Sequence, residues 1–307
     1  MCINKDNNLG SGYAMIKIGT NGVAPGSEPN MLAIINQVSE EVVAAREGKA
    51  TLKDKIDEVD LKLSGTVSTT NVNEVKYIAH RGGSTFAPEN TIPAFEMAGV
   101  LGYWGAECDI QETSDNELVI FHDDTIDRMT DGSGTIPSLT LAQVKALNID
   151  SGSNIAMYPG TKVPTLEEYL KVCKKWNVVP IIEIKDKPLS NVALTKFIDL
   201  LNQYGLTERC IVISFETDAL DALRSATNKI IIAPLLDITQ DNINYVKSLG
   251  NSMIDCSISS VTVANIKLCH ENDINVIVWT IDVESDLVTC ISCGANFITT
   301  NQLLGGI

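Results

Sequence analysis

The sequence predicts an α/β protein: a (β/α)8 barrel with one extra β-hairpin at its functional face, preceded by a helical or coiled-coil segment. Three observations predict it. From Val75 onward, eight short apolar runs alternate with helix-like stretches, as parallel strands covered on both faces do. A ninth apolar run follows the second too closely for a crossover helix, so it must return as a hairpin. Ahead of these, apolar or small residues step by threes and fours between Met31 and Leu63, the spacing of one helix face.

Taken in order, residues 1–30 read as an irregular tail, Gly- and Asn-rich over most of their length. Residues 31–63 read as a helical oligomerisation segment. Its stripe runs Ile35, Val38, Val42, Ala45, then Leu52, Ile56, Val59 and Leu63, with Lys49 breaking the series. Two readings fit the stripe: a coiled coil of about four heptads, or an amphipathic helix packed on the neighbouring domain. Gly48 beside the break and Thr51 as a cap also allow two shorter helices. Residues 64–74, "SGTVSTTNVNE", are small and polar and read as a linker. Residues 75–307 read as the barrel. Its strands are VKYIA (75–79), AECDI (106–110), VVPIIEI (178–184), CIVIS (210–214), KIIIAP (229–234), SMIDC (252–256), NVIVW (275–279) and NFITT (296–300).

Composition limits the function. The chain is 44% hydrophobic and 20% charged, enough to bury a large core. A formal net charge of −16 argues against a nucleic-acid partner, which needs a basic footprint. It also means that an anionic substrate must be held by local donors or a metal, not by the overall field. No apolar run reaches the length of a membrane span, and the first residues lack the apolar core of a secretory signal. Cys108, Cys210 and Cys256 lie in apolar runs and read as buried free thiols. Cys290 and Cys293 form a single CxxC with no second pair to complete a zinc site.

In a β/α barrel, chemistry sits where strands end. The first strand ends in His80-Arg81, the second carries Glu107 and Asp109, and the third ends in Glu183 and Lys185. Residues two apart in a strand share a face, so Glu107 pairs with Asp109 and Glu183 with Lys185. Three carboxylates converging on one barrel mouth call for a hard divalent cation, Ca²⁺ or Mg²⁺; a salt-bridge network with Lys and Arg is the other reading. The ninth run, "ELVIFHDD", brings a second histidine. A two-residue turn at Ser114-Asp115 sets Thr113 opposite Asn116, and counting along the ladder then sets Glu107 opposite His122. A slip of one residue would break this count. The chain has three histidines; His270 has no comparable neighbours and reads as surface or packing. His80 and His122 can divide general base and general acid work, in either order. Arg81 offers a planar fork to a phosphate and Lys185 a point charge. The set suits hydrolysis of a phosphate ester. Gly82 and Gly83 let the backbone turn away from the strand, and would let it approach a phosphate.

Residues 76–301 resemble a glycerophosphodiester phosphodiesterase domain of the phospholipase C-like phosphodiesterase superfamily. The resemblance runs through "AHRGGSTFAPENTIPAF", "GAECDIQETSDNELVIFHDDTIDRMTDGSG", "VPTLEEYL", "IIEIK", "VIVWTID" and "FITTN". It implies a TIM barrel, a divalent cation and a glycerophosphodiester substrate, small or polymeric. Carried over, His80 and His122 are the acid–base pair, Glu107, Asp109 and Glu183 the metal ligands, and Arg81 and Lys185 the phosphate holders. Glu89 would orient His80 or Arg81 or lie near the metal, Asp123 would support the His122 loop, and Trp279 would line the pocket for the alcohol. Two positions depart from the family. After "WT" the family usually has an apolar residue and Asn, where this chain has Ile281-Asp282. Near the end it often has "TD", where this chain has Thr300-Asn301.

The N-terminal segment "VVAAREGKATLKDKIDEVD" resembles helical connectors of phage tail fibres and baseplates. That resemblance implies a homo-oligomer, a trimer, carried on a virion tail and acting extracellularly. Its substrate would be teichoic acid or a phosphodiester-linked capsule. A cytoplasmic enzyme is the alternative location. Two rival functions stand beside the diesterase: a phospholipase D-like enzyme on lipids, and a non-catalytic receptor-binding tail module.

Overall fold

A computed structural model describes residues 75–185 and 187–302. The tail, the helical segment and the linker expected over 1–74 lie outside the described residues. The described chain begins with β1 (Lys76–Ala79), α1 (Ile92–Val100), β2 (Gly105–Glu112) and β3 (Leu118–Ile120). A short helix α2 (Leu141–Ala146) precedes α3 (Leu166–Trp176), and β4 (Val179–Ile184) follows. Strand and helix then alternate: α4 (Asn191–Tyr204), β5 (Ile211–Ser214), α5 (Thr217–Ala226), β6 (Ile231–Pro234) and α6 (Gln240–Ser248). The series ends with β7 (Ile254–Ser257), α7 (Val263–His270), β8 (Val276–Trp279), α8 (Glu284–Cys293) and β9 (Phe297–Thr300).

Eight of these strands form a parallel sheet in the order β6-β5-β4-β2-β1-β9-β8-β7, with β3 paired antiparallel on β2. The ends of that order meet. Met253 N–H donates to the Ile232 carbonyl (2.8 Å) and Leu236 N–H to the Asp255 carbonyl (3.0 Å). These bonds bring β6 alongside β7 and make the sheet a (β/α)8 barrel. Each of the eight apolar runs read from the sequence forms one barrel strand.

The strands are apolar throughout because both of their faces are covered. Ile78, Ile181, Ile211, Ile213, Ile277 and Phe297 fill the barrel interior. Outside it, Cys256, Val276, Val278 and Ile298 pack under Ile243, Val246, Ile266 and Leu287 of the helices. Helix boundaries follow local chemistry. Thr165 and Glu168 form a reciprocal capping box on α3, whose end is an Asn177 in the left-handed region. Cys108, Cys210 and Cys256 are buried free thiols, and Cys290 and Cys293 are also unpaired.

The hairpin exists, but its register corrects the expected one. Ile110 faces Ile120, Gln111 faces Val119 and Glu112 faces Leu118. That places the turn over three residues, Ser114 to Asn116, not two. Thr113 donates its backbone N–H to the Glu117 carbonyl (2.9 Å), and its Oγ1 accepts from Glu117 N–H (3.0 Å). Asn116 supplies the left-handed residue (φ 58°) that such a loop requires. The ladder therefore sets Asp109 against Phe121, whose N–H donates to the Asp109 carbonyl (2.9 Å). Glu107 and His122 are not cross-strand partners.

Beyond the hairpin the chain folds around an apolar centre of its own: Val119, Phe121, Ile126, Met129, Ile136 and Val163. This excursion carries His122 and its neighbours over the mouth of the barrel.

Candidate active site

At the end of β1 the chain turns sharply. Arg81 and Gly82 both adopt positive φ (57° and 78°), and Gly82 N–H donates to the Ala79 carbonyl (3.2 Å). A Cβ on Gly82 would lie 2.7 Å from the Ala94 carbonyl carbon, and one on Gly83 2.8 Å from Met97 Cβ. What the two glycines admit is thus the first two turns of α1, pressed against the His80-Arg81 corner. Thr91 caps that helix, and Gly83 N–H donates to the Ala94 carbonyl (2.7 Å).

The three carboxylates converge as their strand positions require. Asp109 of β2 stands beside Glu183 of β4 in the ladder, and Glu107, Asp109 and Glu183 each offer an oxygen within 4.8 Å of the other two. Cations flank them. Arg81 donates its backbone N–H to Glu107 Oε2 (2.8 Å), and its Nε lies 3.7 Å from Asp109 Oδ2. Lys185 Nζ is 2.8 Å from Glu183 Oε1 and 3.6 Å from Asp109 Oδ1. Asn90, which the sequence reading passed over, donates to Asp109 Oδ2 (2.7 Å).

The three acids do not share the negative charge equally. Burial pushes Asp109 up, but His122, Lys185 and Arg81 together outweigh it and hold it low. Burial and the neighbouring carboxylates push Glu107 well above the carboxylate range. The same causes raise Glu183 to about 7. Glu107 Oε1 is buried with no hydrogen-bond partner. An acidic triad with one orphaned oxygen fits a hard divalent cation, whose charge would relieve the repulsion among the three groups.

The two histidines enter the same pocket from different elements. His80 follows β1, and its Nδ1 lies 2.8 Å from Asn301 Oδ1. Burial and then Arg81 lower its proton affinity. His122 arrives by another route than the predicted cross-strand pairing. Gln111 of β2 donates to the carbonyls of Phe121 (3.1 Å) and Asp123 (2.9 Å), gripping the backbone on both sides of His122. His122 Nδ1 lies 2.7 Å from Asp123 Oδ1.

Asp123 in turn accepts from Arg128 Nε (2.5 Å), and hydrogen bonds from Arg128 drive its carboxyl down to about 2. Arg128 also donates to Glu89 Oε1 (2.6 Å), which accepts from Arg81 Nη1 (2.9 Å). A continuous chain, Arg81–Glu89–Arg128–Asp123–His122, therefore ties the β1 corner to the His122 loop. Of the three placements predicted for Glu89, the structure gives the one on Arg81. Arg128 was missed, although it stands inside the quoted "DDTIDRMT" stretch.

Trp279 lines the opposite wall with Ile213, Phe215 and Leu235, its ring edge-on to Phe215 at 5.8 Å between centroids. Asp255, on β7 in this wall, was also missed. It is 1% exposed, its Oδ1 has no partner, and burial followed by Glu183 raises its carboxyl well above the usual range. His270 lies on the surface, with Nε2 3.2 Å from Asn296 Oδ1.

A parallel barrel whose mouth brings two histidines and two basic side chains into one pocket with Glu107 and Glu183, Asp109 beside them, suits a hydrolase of phosphate esters. Comparison with known proteins makes the class specific. The model of the glycerophosphoryl diester phosphodiesterase family matches residues 80–304, and the chain belongs to that family of phosphoric diester hydrolases. A glycerophosphodiester phosphodiesterase of Caldanaerobacter subterraneus subsp. tengcongensis is 30% identical over 228 residues, covering 73% of this chain and 93% of that protein. A phosphodiesterase of Oleispira antarctica, solved with the product sn-glycerol-3-phosphate, superposes with a TM-score of 0.67 at 27% identity. The match covers 74% of this chain and 92% of that one. A glycerophosphodiester phosphodiesterase from Parabacteroides distasonis is 30% identical with a TM-score of 0.62, covering 74% and 93%.

Proposed function

We propose that this chain hydrolyses a glycerophosphodiester to an alcohol and a phosphomonoester, using His80 and His122 for proton transfer and Glu107, Asp109 and Glu183 to hold Ca²⁺ or Mg²⁺. The observation that carries the reading is that both histidines line one pocket with Glu107 and Glu183, and that Asp109 offers an oxygen within 4.8 Å of those two carboxylates. When bound, a divalent cation supplies positive charge against the phosphoryl oxygens as phosphorus is attacked. Arg81 and Lys185 add donors to the same oxygens.

The partners behind the rings suggest the division of labour. His80 stands against a neutral amide oxygen and beside Arg81, and burial disfavours its charged form. Those conditions keep it neutral, with Nε2 free to accept a proton from the attacking water or substrate hydroxyl. His122 stands against a carboxylate that Arg128 keeps ionised, an arrangement that suits the group protonating the leaving alkoxide. Trp279 and Phe215 form the apolar wall for the alcohol.

The test is release of glycerol 3-phosphate from glycerophosphocholine, with and without chelator. Wild type should require a divalent cation, and His80→Ala and His122→Ala should each lose about 10²- to 10⁴-fold in kcat. Equal background release by wild type and both variants would refute the diesterase reading and favour the receptor-binding module. Choline release from a phospholipid, without turnover of the soluble diester, would favour the phospholipase D-like rival.

The tail-borne role on a teichoic acid or capsule polymer rests on the sequence of residues 31–63, which lie outside the described residues. A trimer in solution that becomes a monomer on removal of residues 1–70 would support it. A monomer in both forms would end it.

A further inference from the structure

Asp282 and Asn301, 19 residues apart in sequence, meet in space, and together they stand behind His80. Asn301 Oδ1 lies 2.8 Å from His80 Nδ1. Asn301 Nδ2 donates to Asp282 Oδ2 (2.7 Å), and Asn301 N–H donates to Asp282 Oδ1 (2.8 Å). Thr300 Oγ1 donates to the same Oδ1 (3.1 Å). Asp282 follows β8 and Asn301 follows β9, so neighbouring strands supply the two halves.

The chemistry of the pair leaves one arrangement. A carboxylate only accepts hydrogen bonds, so the edge of Asn301 that faces Asp282 must be its NH₂. The amide oxygen then faces the imidazole. That oxygen carries no proton, so His80 Nδ1 must carry one, and the lone pair of the neutral ring is confined to Nε2. We propose that Asn301 is a positioning residue that fixes the tautomer and direction of His80, and that Asp282 fixes Asn301. The inference rests on the reading of His80 as the proton acceptor.

The two residues are then required to be of opposite type, whichever position holds the acid. In Asn301→Asp alone, two carboxylates face each other at hydrogen-bond distance. In Asp282→Asn alone, the new amide either turns an NH₂ toward a donor, or is satisfied only by a flip of Asn301 that presents an NH₂ to His80 Nδ1 and moves the ring proton to Nε2. The exchange of both restores every bond. The amide now at position 282 would accept from the backbone with its oxygen and donate with its nitrogen. The carboxylate now at position 301 would accept from that nitrogen and from His80. The side chains are nearly isosteric, so packing hardly changes.

The experiment compares wild type, Asn301→Asp, Asp282→Asn and the double exchange, in the full chain with Ca²⁺ or Mg²⁺, using glycerophosphocholine. Each single variant should lose about tenfold or more in kcat, with KM within about twofold, and the double exchange should recover most of that loss. A ring ¹⁵N spectrum gives a second readout that general packing would not move. The chain has three histidines, so their signals can be separated. His80 should show the Nδ1–H tautomer in wild type and in the double exchange, and a mixture in the single variants.

Single variants that keep wild-type kcat, or a double exchange no better than the worse single, would overturn the inference even if His80→Ala is inactive. An Nε2–H tautomer in wild type would overturn it without reference to activity. If instead wild type turns over no diester, the diesterase reading fails, while the spectrum still decides the pairing.

Discussion

In the presence of chelator, this protein should lose stability as pH rises toward neutrality, and Glu183→Gln should remove much of that loss. Glu183 is 12% exposed at its side chain, and burial, then Asp109, lifts its carboxyl from 4.5 to about 7. A carboxyl that holds its proton more tightly folded than unfolded costs nothing below the unfolded value. The cost grows as pH rises between the two values and is complete above the folded one. For Glu183 that window runs from 4.5 to about 7 and amounts to about 3 kcal/mol. Glu107 acts in the same direction. In a domain of this size, 1 kcal/mol moves Tm by about 2–4 °C. Metal-free Glu183→Gln should therefore melt roughly 6–12 °C above metal-free wild type at about pH 8, with the gap closing near pH 4.5. Lys185 keeps Asp109 at 3.6 Å in the variant, so it is not left without a partner. A divalent cation at about 100 times its Kd should add about 2.7 kcal/mol to wild type, and less to a variant with one ligand weakened. Thermal melts between about pH 4.5 and 8, with chelator or with Ca²⁺ or Mg²⁺ at constant ionic strength, measure all of this. Parallel Tm–pH curves for wild type and Glu183→Gln in chelator would refute the picture of a crowded acidic cluster.

Two further outcomes follow from the site's supports. Gly82→Ala forces a Cβ to 2.7 Å from the Ala94 carbonyl carbon at φ +78°, so it should cost about 2 kcal/mol or more and lower Tm by several degrees. Its kcat should fall as well, because the corner that aims His80 shifts; unchanged melting would show that the corner yields freely. Arg128→Ala removes a side chain that is 48% exposed, so stability should change by less than about 1 kcal/mol. The kcat should still drop by about tenfold or more as Asp123 loses its anchor, and equal kcat in the two proteins would show that the Glu89–Arg128–Asp123 chain is ornamental.

The legibility of this protein in its sequence divides along a physical line. Barrel strands were legible because a strand covered on both faces must be apolar at every position, and a run such as VVPIIEI has few other uses. The acids were legible for the complementary reason: Glu107, Asp109 and Glu183 interrupt such runs, where an unpaired charge is costly to bury. Asp255 carries the same signal inside SMIDC, and attention to that strand would have found it. The hairpin register was not legible from turn length alone. It depends on the side-chain bond of Thr113 and the left-handed Asn116, and a two-residue turn is the commoner choice. Arg128, Gln111 and Asn301 act through contacts fixed only by the tertiary fold; the His80–Asn301 contact spans 221 residues. No spacing rule reaches that far. Asp282 and Asn301 lie 19 residues apart in sequence, and only the fold shows that they touch.

The charge balance of the pocket bears on how an acidic protein would hold the anionic substrate proposed for it. Arg81 and Lys185 are the donors proposed for the phosphate, and both are engaged with carboxylates. Arg81 sits against Glu89 and Asp109, and Lys185 against Glu183 and Asp109. The same fork cannot satisfy a buried carboxylate and a phosphate oxygen at full strength. A divalent cation on Glu107, Asp109 and Glu183 would take over their compensation and leave both basic groups with charge to spare. On this reading a bound cation would do more than supply charge against the phosphoryl oxygens. Bound there, it would turn a mouth whose acids consume their own counter-charges into one with net attraction for a diester, and the expected outcome is that substrate affinity rises with metal occupancy.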